Sequence, residues 1–214
     1  MKRRFIIALF PAFLKLDGRR VVIIGGGPVA ASKLAALQAA GGDILVVAPE
    51  VCAEIESSGV AVARKAFEPS DLEGAWFVVA AAPPEVNRSV AREAQRLRVF
   101  VNAVDDPANA SVYLGGVVRR GGVTLGISTD GAAPALAGLL REALDSMLPA
   151  DLEAWSVRAR EARQSWRARG VPMEARRPEL LDALNELYAS RRSPADRTSP
   201  AAEAGRGQQV EPRR

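Results

Sequence analysis

The 214-residue chain contains no histidine and one cysteine, and only 5% of its residues are aromatic. Without histidine there is no Ser-His-Asp triad, no His-ligated zinc and no histidine-ligated haem, so any proton transfer falls to Asp, Glu, Lys, Tyr or water. The lone Cys52 excludes an internal disulfide and every CxxC motif, and it reads as a small buried residue in a reducing compartment. No apolar run approaches the roughly 20 residues of a membrane span, so no membrane partner is expected. Met1-Lys2-Arg3-Arg4 followed by apolar Phe5 to Leu9 imitates a signal peptide. The fold begins too soon afterwards to leave room for a cleavable leader, and a cytoplasmic protein is expected. The formal net charge of +4 comes from arginine more than lysine. Beyond Leu152 the basic residues alternate with Glu and Asp, as on solvated helix faces, and few aromatics are present to stack bases, so no nucleic-acid partner is expected.

What the chain does have is a glycine cluster in an informative place. Gly25-Gly26-Gly27-Pro28-Val29-Ala30 comes directly off the apolar run Val21-Val22-Ile23-Ile24, and it reads G-x-G-x-x-A at the end of a strand. Val29 to Ala40 continues as a helix of small residues. Turn N–H groups and the positive end of the helix dipole then converge where a dinucleotide pyrophosphate can sit. Gly25 permits the turn, Gly27 lets the phosphates approach the backbone, and Ala30 keeps the helix close to the sheet. A ribose-binding acid usually lies about 20 residues further on. Here the second strand ends Val47-Ala48-Pro49-Glu50, with Glu50 slightly late and no arginine to meet a 2′-phosphate, which favours NAD over NADP.

Apolar strands at Val21–Ile24, Ile44–Ala48, Trp76–Ala80 and Val99–Ala103 alternate with helical patterns at Val29–Ala40, Val51–Ser57 and Glu85–Leu97. That alternation predicts an α/β domain, a Rossmann-like parallel sheet covered by helices, over residues 1–110. Gly59 to Phe67 has room for a further strand. Ser111–Val118 and Val123–Ile127 read as a strand pair turning at Arg119-Arg120-Gly121-Gly122, and Pro134 opens a helix to about Met147. This segment, 111–149, is too small for its own core. Residues 150–190 read as helical, broken at Gly170-Val171-Pro172 and resuming at Pro178, with Trp155, Val157, Ala162 and Trp166 as buried candidates. Residues 191–214 have almost no apolar side chains and are expected to form a disordered tail.

The stretch Gly25-Gly26-Gly27-x-Val29-Ala30-x-x-Lys33 is more specific than the general fingerprint, and here the chain resembles the precorrin-2 dehydrogenase family, the NAD-dependent module of siroheme synthases. Further matches follow in the family's order at Pro11–Arg19, Val101-Asn102-Ala103-Val104-Asp105-Asp106-Pro107, Asn109-Ala110-Ser111 and Ser128–Pro134 with Arg141 behind it. The resemblance implies NAD-dependent oxidation of precorrin-2, an octacarboxylate tetrapyrrole, to sirohydrochlorin. In some members Fe2+ insertion follows. It also implies a homodimer formed through 111–149, and because the chain shows no methyltransferase domain of the kind fused siroheme synthases carry, precorrin-2 is expected to come from a separate methyltransferase. No resident metal is expected.

The resemblance transfers the family's essential aspartate to Asp105, which follows a buried strand at the edge where doubly wound sheets bind ligands. Asp106 reads as a turn residue before Pro107. The same match implies substrate contact for Asn102. Ser128-Thr129-Asp130-Gly131 brings two hydroxyls and backbone N–H groups to the start of the Pro134 helix, where an anion could dock or where the loop simply caps the helix. Arg141, and Arg119 or Arg120, are candidates to pair substrate carboxylates. On the cofactor side the family commonly shows Ala-Thr-Asp-Asp, whereas this chain has Ala80-Ala81-Ala82-Pro83-Pro84, leaving Ala81 and Ala82 to contact the dinucleotide by backbone. An NAD(H)-binding redox-sensing module without turnover is the alternative reading.

Overall fold

The runs Val21-Val22-Ile23-Ile24 and Phe77-Val78-Val79-Ala80 are apolar at every position, as strands covered on both faces must be. In the computed structural model, which describes residues 9–191, they are the two central strands of a parallel sheet. The leader-like start falls in 1–8 and most of the expected tail in 192–214, both outside the described residues.

The sheet has five strands: β1 (Arg20–Ile24), β2 (Asp43–Val47), β3 (Ala61–Ala63), β4 (Phe77–Ala80) and β5 (Phe100–Ala103). Their spatial order is β3-β2-β1-β4-β5, so the order reverses between β1 and β4. Helices α1 (Pro28–Ala39), α2 (Ala53–Glu56) and α3 (Pro84–Leu97) connect them. Strand alternation builds two cores. Val21, Ile23, Val46 and Val79 pack with Ala30, Leu34 and Leu37 of α1, whose spacing of four and three residues makes one helix face. Val22, Ile24, Val78 and Val101 pack with Val90 and Ala94 of α3. The strand and helix pattern read from the sequence is the pattern found, with β3 in the segment left open and α2 shorter than expected.

One expected strand starts late. Residues after Ala110 lie along the outer edge of β5, where Ser111 and Val112 donate backbone N–H groups to the Val101 carbonyl and Ser111 Oγ accepts the Val101 N–H at 2.9 Å. The pair β6 (Gly116–Arg120) and β7 (Val123–Ile127) begins only beyond that edge and is followed by α4 (Pro134–Met147). Arg119 and Arg120 therefore end a strand, and the turn is Gly121-Gly122, both at positive φ as a tight hairpin requires.

By contact density the chain divides into one unit of residues up to Val117 plus Gly126–Ala143, and a second of Val118–Leu125 with the residues from Leu144 on. The second unit holds α5 (Leu152–Arg169) and α6 (Met173–Arg191). Trp166 is buried there and donates its indole N–H to Glu179 at 2.7 Å, while Arg169 reaches the same carboxylate at 2.7 Å. Arg169, and then Trp166, hold Glu179 below the usual carboxylate range. Val157 is exposed, against expectation, because it lies two positions from Trp155 and so roughly 200° around the helix. The second helix starts at Met173 rather than Pro178: the Pro172 carbonyl accepts the Ala175 N–H, Arg176 Nε donates to the Val171 carbonyl at 3.0 Å, and Pro178 forfeits one bond near an exposed helix start.

Candidate active site

β1 delivers its chain into Gly25, at φ +123°, a conformation that side chains rarely tolerate. A Cβ there would overlap the Ala81 carbonyl, and one on Gly26 would overlap the Glu50 carbonyl. These two glycines hold the ends of β4 and β2 against the turn, with Ala81 N–H donating to the Ile24 carbonyl at 2.8 Å and Cys52 N–H to the Gly26 carbonyl at 2.8 Å. Gly27 is different: a Cβ built on it meets nothing within 4 Å. It is the N-cap of α1, no side chain caps the helix, Pro28 occupies the first turn, and that turn carries no acid. Uncapped N–H groups, an unopposed helix dipole and open space above Gly27 fit a dinucleotide pyrophosphate.

The neighbouring positions complete that cradle. Ala48 is buried and lies below Gly26, while Pro49 and Glu50 are exposed beyond it. Val29 is 46% exposed on the first turn, and Ala30 is fully buried against the sheet. Ala82 donates its N–H to Oδ1 of the buried Asn87 at 3.0 Å, so a side chain of α3 fixes the loop that lacks the family's hydroxyl and acids. Arg64, one residue past the β2–β3 pairing, is ion-paired with Glu56.

A cavity of about 350 Å³ opens in the same unit, and Asp105, Asn102, Ser128, Thr129 and Arg141 all line it. These residues come from β5, the loop behind it, the loop before α4, and α4 itself. Asp105 is exposed and adopts φ +56°, a left-handed conformation that Asp and Asn accept more readily than most residues. Among the described residues no hydrogen bond or ion pair engages its carboxylate. Asp106 differs: its Oδ2 accepts from Asn109 Nδ2 at 2.7 Å, at the start of a short 3₁₀ turn over Pro107–Asn109. Asn102 is buried, lines the cavity and donates Nδ2 to the Val112 carbonyl at 2.9 Å, with no donor to its Oδ1 among the described residues.

The loop before α4 is folded by its own hydroxyls. Ser128 Oγ accepts the Asp130 N–H at 3.1 Å and Thr129 Oγ1 accepts the Ala133 N–H at 3.3 Å. Both hydroxyls keep their own protons to donate. Arg141 shares its guanidinium with Glu142 at 3.1 Å in an exposed pair, which binds it only weakly. Arg120 belongs elsewhere. It donates to Asp145 at 2.8 Å and to the Leu148 carbonyl at 3.0 Å, within the second unit.

Three lining features were not assigned from sequence. Lys33 of α1 faces this cavity although it was noted only as part of the glycine fingerprint. Tyr113 lines it and donates its hydroxyl to the Pro107 carbonyl at 3.0 Å, a contact no local pattern announces. Gly115 lies so close to β7 that a Cβ would overlap the Ile127 carbonyl. Among the described residues no group of three or more His, Cys, Asp or Glu could hold a metal, and no helix is long and apolar enough to cross a membrane.

Residues 12–116 match a family model described as putative NAD(P)-binding. Siroheme synthase 3 of Aeromonas hydrophila is 40% identical over 172 residues, covering 78% of this chain and 37% of the relative. The siroheme synthase of Photorhabdus laumondii is 36% identical over 184 residues, covering 84% of this chain and 39% of the relative. The chain thus spans about two fifths of the length of these relatives. A solved structure titled SirC, precorrin-2 dehydrogenase, superimposes with a TM-score of 0.68 at 29% identity, covering 84% of this chain and 91% of that one. With its glycine cradle at the carboxyl ends of parallel strands, the chain is similar to siroheme synthases over about four fifths of its own length and shares the fold of a precorrin-2 dehydrogenase.

Proposed function

We propose that this chain oxidises precorrin-2 to sirohydrochlorin with NAD as hydride acceptor. The observation that carries the reading is the division of labour in the cavity. Acceptors, the Asp105 carboxylate and Asn102 Oδ1, come from β5 and its following loop, whereas donors, Lys33, Arg141 and the hydroxyls of Ser128 and Thr129, come from other elements. A tetrapyrrole has the complementary pattern, with N–H donors at its centre and carboxylates around its rim. The cradle at Gly25–Ala30 and the loop carrying Asp105 both leave the carboxyl ends of parallel strands, where doubly wound folds bring cofactor and substrate together.

Oxidation removes a hydride and a proton from the substrate. NAD supplies the two-electron acceptor when bound. The protein must orient the ring and take the proton, and Asp105 is the cavity acid that has no internal partner among the described residues. If Fe2+ is then inserted as a second substrate, two pyrrole protons leave, and the same carboxylate is the group placed to receive them. Incubation with enzymatically generated precorrin-2 and NAD should produce NADH and sirohydrochlorin in equal amounts. Tight NAD binding with no oxidation would establish the sensing module instead.

NAD is expected over NADP. Glu50 lies three residues beyond β2, and Arg64 is already paired with Glu56, so among the described residues a 2′-phosphate meets a carboxylate and no free arginine there. A charge-assisted hydrogen bond contributes about 1.5–3 kcal/mol, so kcat/KM should favour NAD by about tenfold or more. Equal values would mean that the ribose lies elsewhere.

The dimer is assigned to α4, which leaves Leu136, Leu139 and Leu140 exposed, Leu139 by 65%. Three leucines on adjoining positions of one helix form an apolar face that a second copy would cover. Sedimentation of the parent should give twice the chain mass, and Leu139→Asp should shift it toward the monomer while leaving the fold intact. A monomeric parent would refute the assignment.

A further inference from the structure

We infer that Lys33 positions the substrate, pairing with one rim carboxylate of the tetrapyrrole from the α1 side of the cavity. The inference rests on the dehydrogenase reading and adds a residue which that reading does not require. Lys33 is the one charged side chain of α1, set beside the buried stripe of Ala30, Leu34 and Leu37. It is half-buried, and among the described residues it has neither an ion pair nor a hydrogen bond. Lys65 differs: it contacts Glu68 at 2.7 Å and Asp71 at 2.8 Å. Partly burying an ammonium without a partner is unfavourable. A ligand anion removes that cost.

The ligand is the substrate rather than the cofactor. Lys33 lies six positions beyond Gly27, about 9 Å along the helix axis, so pyrophosphate at the first turn is met by the backbone. Lys33 instead lines the cavity that holds Asp105 and Asn102. Arg141 reaches the same cavity from α4. Two cations on different elements can hold two carboxylates of one rigid ring at once. Such attachment fixes which carbon of the ring faces the hydride acceptor, the orientation a near-attack geometry needs. A lysine suits this task because its ammonium is a point charge on a flexible stem, indifferent to the plane of the carboxylate it meets.

Lys33→Gln should raise KM for precorrin-2 about tenfold or more, the size of effect seen when one partner of a desolvated charge pair is removed. Its kcat should fall by about threefold or more as the ring loses its fixed orientation, and its NAD affinity should match the parent's. Lys33→Arg should recover most of the loss, which a merely structural role would not explain. Uroporphyrin, an octacarboxylate porphyrin that NAD does not oxidise, gives a readout independent of turnover, and Lys33→Gln should bind it about tenfold more weakly. Unchanged KM and unchanged uroporphyrin affinity would overturn the assignment and leave the dehydrogenase reading intact. Lost NAD affinity with porphyrin affinity retained would place Lys33 on the cofactor and overturn it too. A parent that binds uroporphyrin yet never oxidises precorrin-2 would refute the dehydrogenase reading alone, and the binding comparison would still decide for or against Lys33.

Discussion

Asp105→Asn is expected to abolish most precorrin-2 oxidation while leaving NAD affinity nearly unchanged. Asparagine keeps the size of the side chain and, with aspartate, is among the residues best suited to the left-handed backbone at φ +56°. The substitution therefore changes the charge and basicity of one group without straining the loop. Loss of a positioned general base costs about 10²–10⁴ in rate, so kcat should fall by at least that lower figure. Asp106→Asn is the comparison. Its carboxylate accepts from Asn109 and organises the turn over Pro107–Asn109, so its replacement should cost stability more than rate. Normal turnover by the Asp105 variant, with loss in the Asp106 variant, would move the base by one residue. If both stay active, a substrate carboxylate or solvent takes the proton. Any iron insertion by the parent is read in the same variant: its disappearance with oxidation would mean one shared site, and its survival would separate the two reactions.

The central sheet was legible because its signals are local. Four consecutive apolar residues before a glycine turn can only be satisfied by burial on both faces, and β1 is covered by α1 on one side and α3 on the other. The helix over Pro134–Met147 was legible for the same reason, with proline marking its first turn. What escaped the sequence was non-local. Residues 111–115 looked like the start of a strand, but the unpaired edge of β5 captured Ser111 and Val112 first. The Arg120 side chain looked free until Asp145 and the Leu148 carbonyl, 25 and 28 residues away, were brought to it. The loop after β4 lacks the family's hydroxyl and acids, and what holds it instead, backbone contacts and Asn87 from the next helix, could not be read from the sequence. Lys33 was visible as a motif letter, but only the packing of α1 shows which cavity it enters.

Gly27→Val should remove dinucleotide binding from a protein that remains folded, and its pairing with Gly25→Ala separates the cradle's two tasks. At Gly25 the backbone stands at φ +123° and a Cβ would overlap the Ala81 carbonyl, so even alanine must force β4's end away from the turn. Strain of that kind costs about 1–3 kcal/mol before the steric clash is added. Gly25→Ala should therefore lower the melting temperature whether or not NAD is present. At Gly27 the backbone is extended, φ −88° and ψ −177°, and an added Cβ meets no protein atom within 4 Å. Valine there exchanges one N-cap without a side-chain hydrogen bond for another, a loss of about 1 kcal/mol at most. Its two methyl groups would instead fill the space in front of the uncapped N–H groups of α1. Losing two charge-assisted hydrogen bonds to the pyrophosphate, at about 1.5–3 kcal/mol each, corresponds to a fall in NAD affinity of about 100-fold or more. Calorimetric titration with NAD and thermal melting of both variants test this together. Gly27→Val that binds NAD like the parent would show that the pyrophosphate does not approach α1 at this turn. Equal destabilisation of the two variants would show that the open space above Gly27 is needed by the fold itself.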